Sequence, residues 1–218
     1  MRSAGFGGLK RCDSLPCMDG ETEAGRTREI PCARRALGRG AGTNAAIYAA
    51  QRCAKDSRGW FAETYNAARL KEFGIENEFA QDNHAFSSEA GIVRGLHFQR
   101  PPAAQAKLVH ALRGAIFDVA VDLRKKSASY GKFVSAKLSA AVGEQLFIPA
   151  GFAHGYCTLD ADTEVLYKVD AAYAPAAEGG IVWNDSDLAI SWPVDAKKAR
   201  LSEKDLALPR FRDFESPF

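Results

Sequence analysis

From Gly59 onward the chain breaks into short apolar segments separated by turn residues. Strand-type runs fall at Gly91–Gln99, Lys107–Leu112, Ala115–Leu123, Phe133–Leu138, Glu144–Ile148, Gly155–Leu159, Val165–Val169 and Ile181–Trp183. Ala115–Leu123 alternates most clearly, placing Phe117, Val119, Val121 and Leu123 on one face and Asp118 and Asp122 on the other. Tyr65–Phe73 has helical spacing instead and runs into Gly74, a residue suited to close a helix. Near the C-terminus, Ser202 followed by Glu203 predicts a short capped helix through Leu208. Many short strands with no helical crossovers between them predict an antiparallel sandwich or jelly-roll barrel. A doubly wound α/β fold would need those crossovers.

Residues 1 to 55 have a different texture, rich in Gly, Arg, Ala and Thr with little apolar periodicity. The stretch Arg34-Arg35-Ala36-Leu37-Gly38-Arg39-Gly40-Ala41-Gly42 offers nothing to pack, so a disordered leader without strand pattern is expected there. Its one helical candidate is the Ala-rich segment Asn44–Cys53, which is short and unanchored. The division that follows is a leader at 1–55 and one folded domain at 56–218.

Charge sharpens this division. Residues 1–55 carry ten Lys+Arg against five Asp+Glu, whereas the remainder carries nineteen against twenty-two. Beyond residue 55 no basic stripe interleaved with aromatics occurs, which argues against nucleic acid as a partner. No apolar run reaches the eighteen or so residues of a membrane span, and the N-terminal segment lacks the apolar core of a signal peptide. A soluble, cytoplasmic protein with no membrane partner is the expectation. Cys12, Cys17, Cys32 and Cys53 match neither zinc-knuckle spacing nor a compact disulfide scaffold, so free thiols are expected. Cys157 reads as a small core residue.

The candidate chemistry lies in Gly91-Ile92-Val93-Arg94-Gly95-Leu96-His97-Phe98-Gln99, in Lys107, and in Pro149-Ala150-Gly151-Phe152-Ala153-His154-Gly155. An arginine, two histidines and a lysine sit there on apolar β-type segments, where polar groups are costly unless they have partners or a task. The task points to proton chemistry beside a carbonyl.

These segments, together with Arg58-Gly59-Trp60-Phe61-Ala62-Glu63-Thr64-Tyr65-Asn66, Gln81-Asp82-Asn83-His84, Leu166-Tyr167-Lys168, Trp183-Asn184-Asp185 and Leu201-Ser202-Glu203-Lys204-Asp205, resemble the dTDP-4-dehydrorhamnose 3,5-epimerases. The resemblance runs from about residue 57 to 210, with the motifs in order. It implies a mainly β, antiparallel jelly-roll barrel of the cupin (double-stranded β-helix) type, with short helices near its N-terminal side and at its C-terminus. It also implies epimerisation at C3 and C5 of dTDP-4-dehydro-6-deoxy-D-glucose to dTDP-4-dehydro-L-rhamnose, without a cofactor, by a homodimer. Residue by residue, His97 matches the general base, Asp205 its orienting carboxylate, Lys107 the residue facing the C4 oxygen, and Tyr167 the acid on the opposite face of the sugar. Arg94 and His154 match sugar and diphosphate contacts. Arg58, Phe61, Glu63, Gln81, Asn83 and Tyr173 match nucleotide contacts, partly contributed across a dimer, and Glu178 is a further substrate contact.

The chemistry is sound on its own terms. A proton next to a ketone is weakly acidic, so its removal needs a positioned base and a group that stabilises the enolate oxygen. A neutral imidazole can take the proton near neutral pH, with a carboxylate fixing its tautomer. Inversion needs a proton delivered to the opposite face, which a tyrosine hydroxyl from Val165–Val169 can supply. Taken singly, Tyr167 would read as a core tyrosine and Lys107 as a solvated strand lysine; together with His97 and Asp205 they read as a site. Arg94 and His97 are three residues apart and would point to opposite faces of a regular strand; either Gly95 marks a bulge that re-aims one of them, or only one of the two faces the cavity. His84 reads as a residue of a polar turn, and His110 as a satisfied strand residue.

Rival readings are a metal-dependent isomerase or dioxygenase, a related 5-epimerase, 3-epimerase or 3,4-ketoisomerase, and a non-catalytic sugar-nucleotide binding module. Gly143, Pro149, Gly151 and His154 fit the second cupin motif, but the paired histidines and glutamate of the first are absent around His97, which leaves too few metal ligands.

Overall fold

Strands this short bury their apolar residues by stacking two sheets face to face, and the covering of the outer faces then decides how much of each strand is apolar. The computed structural model describes residues 52–218 and, upstream, the backbone of two short strands; side chains are described from Asp56 onward. In chain order the elements are β1 (Arg35–Leu37), β2 (Ala46–Ala50), β3 (Arg52–Asp56), β4 (Gly59–Glu63), α1 (Ala67–Glu72), β5 (Gln81–Ser87), β6 (Val93–Gln99), β7 (Lys107–Arg113), β8 (Ala115–Asp122), β9 (Phe133–Ser139), β10 (Glu144–Ile148), β11 (Phe152–Thr158), β12 (Thr163–Val169), β13 (Glu178–Gly180) and α2 (Glu203–Leu206). A six-stranded sheet in the order β1-β2-β10-β7-β12-β5 faces a five-stranded sheet in the order β13-β6-β11-β8-β9, and β3-β4 form a separate hairpin. Neighbouring strands pair antiparallel throughout. This is the expected mainly β jelly roll.

The interior between the sheets is filled by Val109, Ile116, Ala120, Leu138, Leu146, Ile148, Phe152, Tyr156 and Val165. The outer face of the five-stranded sheet is covered as well, with Val119, Val121 and Leu123 packed under Phe211, Phe214 and Phe218 of the C-terminal tail. Both faces of β8 are therefore buried, and its alternate polar residues Asp118 and Asp122 are 0% and 1% exposed. Asp122 is satisfied by Arg124, Ser127 and Ser129 at 2.6–2.8 Å. Helix α1 covers part of the six-stranded sheet, placing Leu70 and the following Ile75 on Ala106, Leu108 and Phe147. Asn66 caps its start by accepting from the Arg69 amide at 3.2 Å. The Gly74 amide closes the other end on the Lys71 carbonyl, as the sequence predicts.

Several expectations are corrected. Asn44–Cys53 is not a helix: β2 and β3 occupy it, and β2 pairs with β10 from Ala50↔Glu144 to Ile47↔Phe147, so tertiary pairing overrides the Ala-rich propensity. These strands also lie inside the segment expected to lack strand pattern; the rest of residues 1–51 falls outside the described residues. His84 is not in a turn but in β5, opposite Leu166 of β12. The strand placed at Ile181–Trp183 forms three residues earlier, as Glu178–Gly180 against β6. His110, expected to be satisfied, is 4% exposed and its Nδ1 has no hydrogen-bond partner among the described residues.

Candidate active site

Strand β6 carries the irregularity that builds the site. Opposite β11 its register runs His97↔His154 but Arg94↔Tyr156, so three steps on β6 face two on β11. The extra residue falls at Gly95, whose φ is +120°. A Cβ there would stand 2.6 Å from Gly155 Cα and 2.7 Å from the His154 carbonyl oxygen, so the two strands can approach only through glycine. Of the two alternatives the sequence leaves open, the bulge is the one found: Arg94 and His97 line the same cavity, while Leu96 and Phe98 point outward under the tail.

The cavity, of about 480 Å³, lies between the sheets and is completed by residues 200–205. His97 Nε2 is 2.6 Å from Asp205 Oδ1. Ser202 caps α2 by accepting from the Asp205 amide at 3.1 Å, which fixes the carboxylate against β6. Burial pushes Asp205 up, but the hydrogen bond and charge of His97 outweigh it, with help from the Gly95 amide and Ser202, and the carboxyl sits below its ordinary range. An ionised carboxylate only accepts, so the Nε2 proton belongs to the imidazole and the lone pair is on Nδ1. Lys107 is 9% exposed and donates to the His97 carbonyl oxygen at 3.4 Å. Burial pulls its pKa down to about 8 against the opposing charges of Asp118 and Glu178. His154 Nε2 is 2.6 Å from Asp118 Oδ1, and burial holds this histidine below its ordinary pKa despite that partner. Tyr167, from the opposite sheet, lines the same cavity; burial raises its phenol, with Arg94 opposing. Arg94 donates to the Phe86 carbonyl at 3.1 Å.

The fold thus brings together Arg94, His97, Lys107, His154, Tyr167 and Asp205. It does not bring in the others. Arg58, Phe61 and Glu63 sit on the β3-β4 hairpin, where Arg58 pairs with Asp56 at 2.6 Å, Glu63 with Arg69 at 2.6 Å, and Phe61 is 76% exposed. Gln81 donates to Asn83 at 2.7 Å on the edge strand β5 and accepts from the Tyr173 amide at 3.0 Å. Tyr173 donates to Glu178 at 2.9 Å, and Glu178 also pairs with Lys204 at 2.6 Å. These four lie outside the cavity lining, although the Glu178 partner Lys204 is part of it.

Sequence reasoning missed Lys204, Tyr156 and Asp118. Lys204 was visible inside Leu201–Asp205, one residue from the carboxylate, but a charged residue on a short helix carries no signal of its own. Tyr156 and Asp118 lie in strands read as core, and only the register Tyr156↔Asp118 places them side by side. Among the described residues no three His, Cys, Asp or Glu side chains converge where they could hold a metal ion. No helix among those residues is long and apolar enough to cross a membrane.

A sequence model of the dTDP-4-dehydrorhamnose 3,5-epimerase family matches residues 43–213. The chain is similar to the dTDP-4-dehydrorhamnose 3,5-epimerase of Sinorhizobium fredii, 48% identical over 154 residues, which is 71% of this chain and 78% of that protein. Among solved structures it is similar to the Bacillus anthracis dTDP-4-dehydrorhamnose 3,5-epimerase with TDP and PPi bound, at a TM-score of 0.76 and 44% identity, covering 82% of this chain and 99% of that one. It is also similar to the Legionella pneumophila dTDP-6-deoxy-D-glucose-3,5-epimerase in complex with dTDP-4-keto-L-rhamnose, at a TM-score of 0.74 and 38% identity, covering 78% of this chain and 89% of that one.

Proposed function

Because this chain belongs to the dTDP-4-dehydrorhamnose 3,5-epimerase family, we propose that its cavity performs that family's reaction with His97 as base, Lys107 as enolate-stabilising cation and Tyr167 as acid. The protein is an isomerase that inverts C3 and C5 of dTDP-4-dehydro-6-deoxy-D-glucose to give dTDP-4-dehydro-L-rhamnose. The observation that supports the roles is the His97–Asp205 contact of 2.6 Å at the wall of a cavity whose opposite sheet supplies Lys107 and Tyr167.

Each step has a residue suited to it. His97 Nδ1 takes the proton from the carbon beside the ketone, and Asp205 stabilises the imidazolium that forms. Lys107 places a poorly hydrated ammonium where negative charge gathers on the C4 oxygen; in a dry site such a charge acts more strongly than in water. Tyr167 returns a proton from the other side. Arg94 and Lys204 offer positive charge to the diphosphate at the rim. Incubation with dTDP-4-dehydro-6-deoxy-D-glucose, followed by NMR of the sugar ring, tests the reading: the product inverted at both centres is expected, and a product inverted at one centre would favour a mono-epimerase.

The nucleotide contacts require a second copy in this reading. Arg58, Phe61 and Glu63 stand on a hairpin away from their own cavity, with Trp60 and Phe61 70% and 76% exposed, so the hairpin is suited to reach the cavity of a partner in a homodimer. Light scattering checks this, and a fully active monomer would overturn it. A cytoplasmic location belongs to the same reading, because the free thiol of Cys157 suits a reducing compartment.

A further inference from the structure

Tyr156 is part of the cavity wall, yet the reaction as described gives it no role. Its ring is packed in the interior and 4% exposed, and its hydroxyl is buried with no hydrogen-bond partner among the described residues. A phenylalanine would fill the same volume without burying an unpartnered hydroxyl, which lowers the stability of the resting protein. Tyr156 comes from β11 and Tyr167 from β12 of the facing sheet; both line the same cavity, and Tyr167 packs against the cluster that holds Tyr156. We propose that Tyr156 is a positioning residue for Tyr167, its spare hydroxyl donating a hydrogen bond to the Tyr167 oxygen once that phenol has given its proton to the sugar. The inference rests on the reading of Tyr167 as the acid.

The chemistry balances simply. The Tyr167 O–H bond breaks as the new C–H bond forms, and the resulting phenolate accepts from Tyr156, whose proton stays on Tyr156. The charged and titratable groups around Tyr156 fit this division. They are Arg94 from β6, Asp118 from β8, His154 on its own strand and Tyr167 from β12. Burial pushes the Tyr156 phenol up to about 12, with Arg94 opposing and Tyr167 and Asp118 adding, so it remains a protonated donor across the working pH range. Arg94 acts on the Tyr167 phenol as well, but its guanidinium already donates to the Phe86 carbonyl. A phenolate buried between the sheets therefore gains from a second donor, because hydrogen bonds to charged acceptors are the strong ones.

The test compares Tyr156→Phe, Tyr167→Phe and the double variant in deuterated water, reading melting temperature, deuterium exchange into the substrate and formation of the doubly inverted product. Tyr156→Phe is expected to melt no lower than the parent and to exchange within about twofold of it, while making the doubly inverted product about 10- to 100-fold more slowly. The double variant should be no slower than Tyr167→Phe alone, since Tyr156 acts through Tyr167. The proposal is overturned if Tyr156→Phe forms product at the parent rate. It is equally overturned if exchange and product fall together with a lower melting temperature, the mark of a packing role, or if the two substitutions slow product formation additively. Should Tyr167→Phe itself turn over at the parent rate, the acid assignment falls and this inference with it; an impaired Tyr167→Phe beside an unimpaired Tyr156→Phe sinks the inference alone.

Discussion

The apolar cluster of the barrel interior and the cavity beside it are built from the same strands and differ in almost everything else. Strand β7 gives Val109 to the cluster and Lys107 to the cavity, and β11 gives Phe152 to the first and His154 to the second. In the cluster Leu138, Leu146 and Ile148 are at most 1% exposed and contribute roughly 1.5–3 kcal/mol each by leaving water. In and behind the cavity wall a lysine, a histidine–aspartate pair and a tyrosine hydroxyl with no partner among the described residues are buried with at best partial compensation. The lesson is a division of labour within single strands: apolar residues such as Val109, directly opposite Tyr167, supply the rigidity that holds their polar neighbours in a costly but chemically useful arrangement.

Substitutions in the cluster and in the cavity should therefore separate stability from activity. The largest expected effect is in the cavity, where His97→Ala should lower kcat on the order of 100- to 10,000-fold with little change in melting temperature, measured by product formation and calorimetry. Its counterpart is Leu146→Ala, which should cost about 2–5 kcal/mol in denaturant unfolding while the folded fraction keeps its kcat. A Leu146→Ala protein that melts like the parent, or a His97→Ala protein that unfolds, would break the comparison.

Lys107 gives a sharper version because its burial has a sign. The charged form is disfavoured in the native state, whose pKa of about 8 lies below the ordinary 10.5. The native protein bears that penalty in full below pH 8. Between pH 8 and 10.5 the unfolded chain binds more protons than the native one, so parent stability rises through that window relative to a variant lacking the amine. Lys107→Met should thus be more stable than the parent at pH 7, by roughly 3 kcal/mol at most, and lose this advantage above about pH 10.5. Its turnover should be strongly depressed, because the enolate oxygen loses its cation. A destabilised Lys107→Met at pH 7 would show that the ammonium is better compensated than its surroundings indicate.

The smallest effect concerns the start of the folded domain. Removal of residues 1–34 should leave activity and melting temperature within about 2 °C of the parent, whereas removal of 1–50 also takes β1 and β2, the latter from beside β10, and should lower the melting temperature by several degrees. Equal melting temperatures for the two truncations would place the boundary nearer Asp56.

Most of the barrel was legible in sequence because its strands are apolar and bounded by turn residues; β6 to β10 and β12 fall where the pattern puts them, and β11 starts three residues earlier, at Phe152. What was missed has physical reasons. Strand β5 begins Gln81-Asp82-Asn83-His84, and an edge strand with a half-exposed polar pattern gives no hydrophobic signal. Strand β2 is held by pairing with β10, a contact far away in sequence. At the site, the Gly95 irregularity was inferable from Arg94 and His97 needing one cavity. The Asp118 support of His154 was not, because it depends on register between β8 and β11.

The central claim, that His97 removes and Tyr167 supplies the protons that invert the sugar, is tested most directly by position-resolved deuterium incorporation in deuterated water, read by NMR at C3 and C5. The parent should carry solvent deuterium at both centres, His97→Ala at neither, and Tyr167→Phe should retain exchange at one centre while failing to build the fully inverted product. Continued exchange in His97→Ala, with Tyr167→Phe giving the inverted product at the parent rate, would contradict the assignment at its centre.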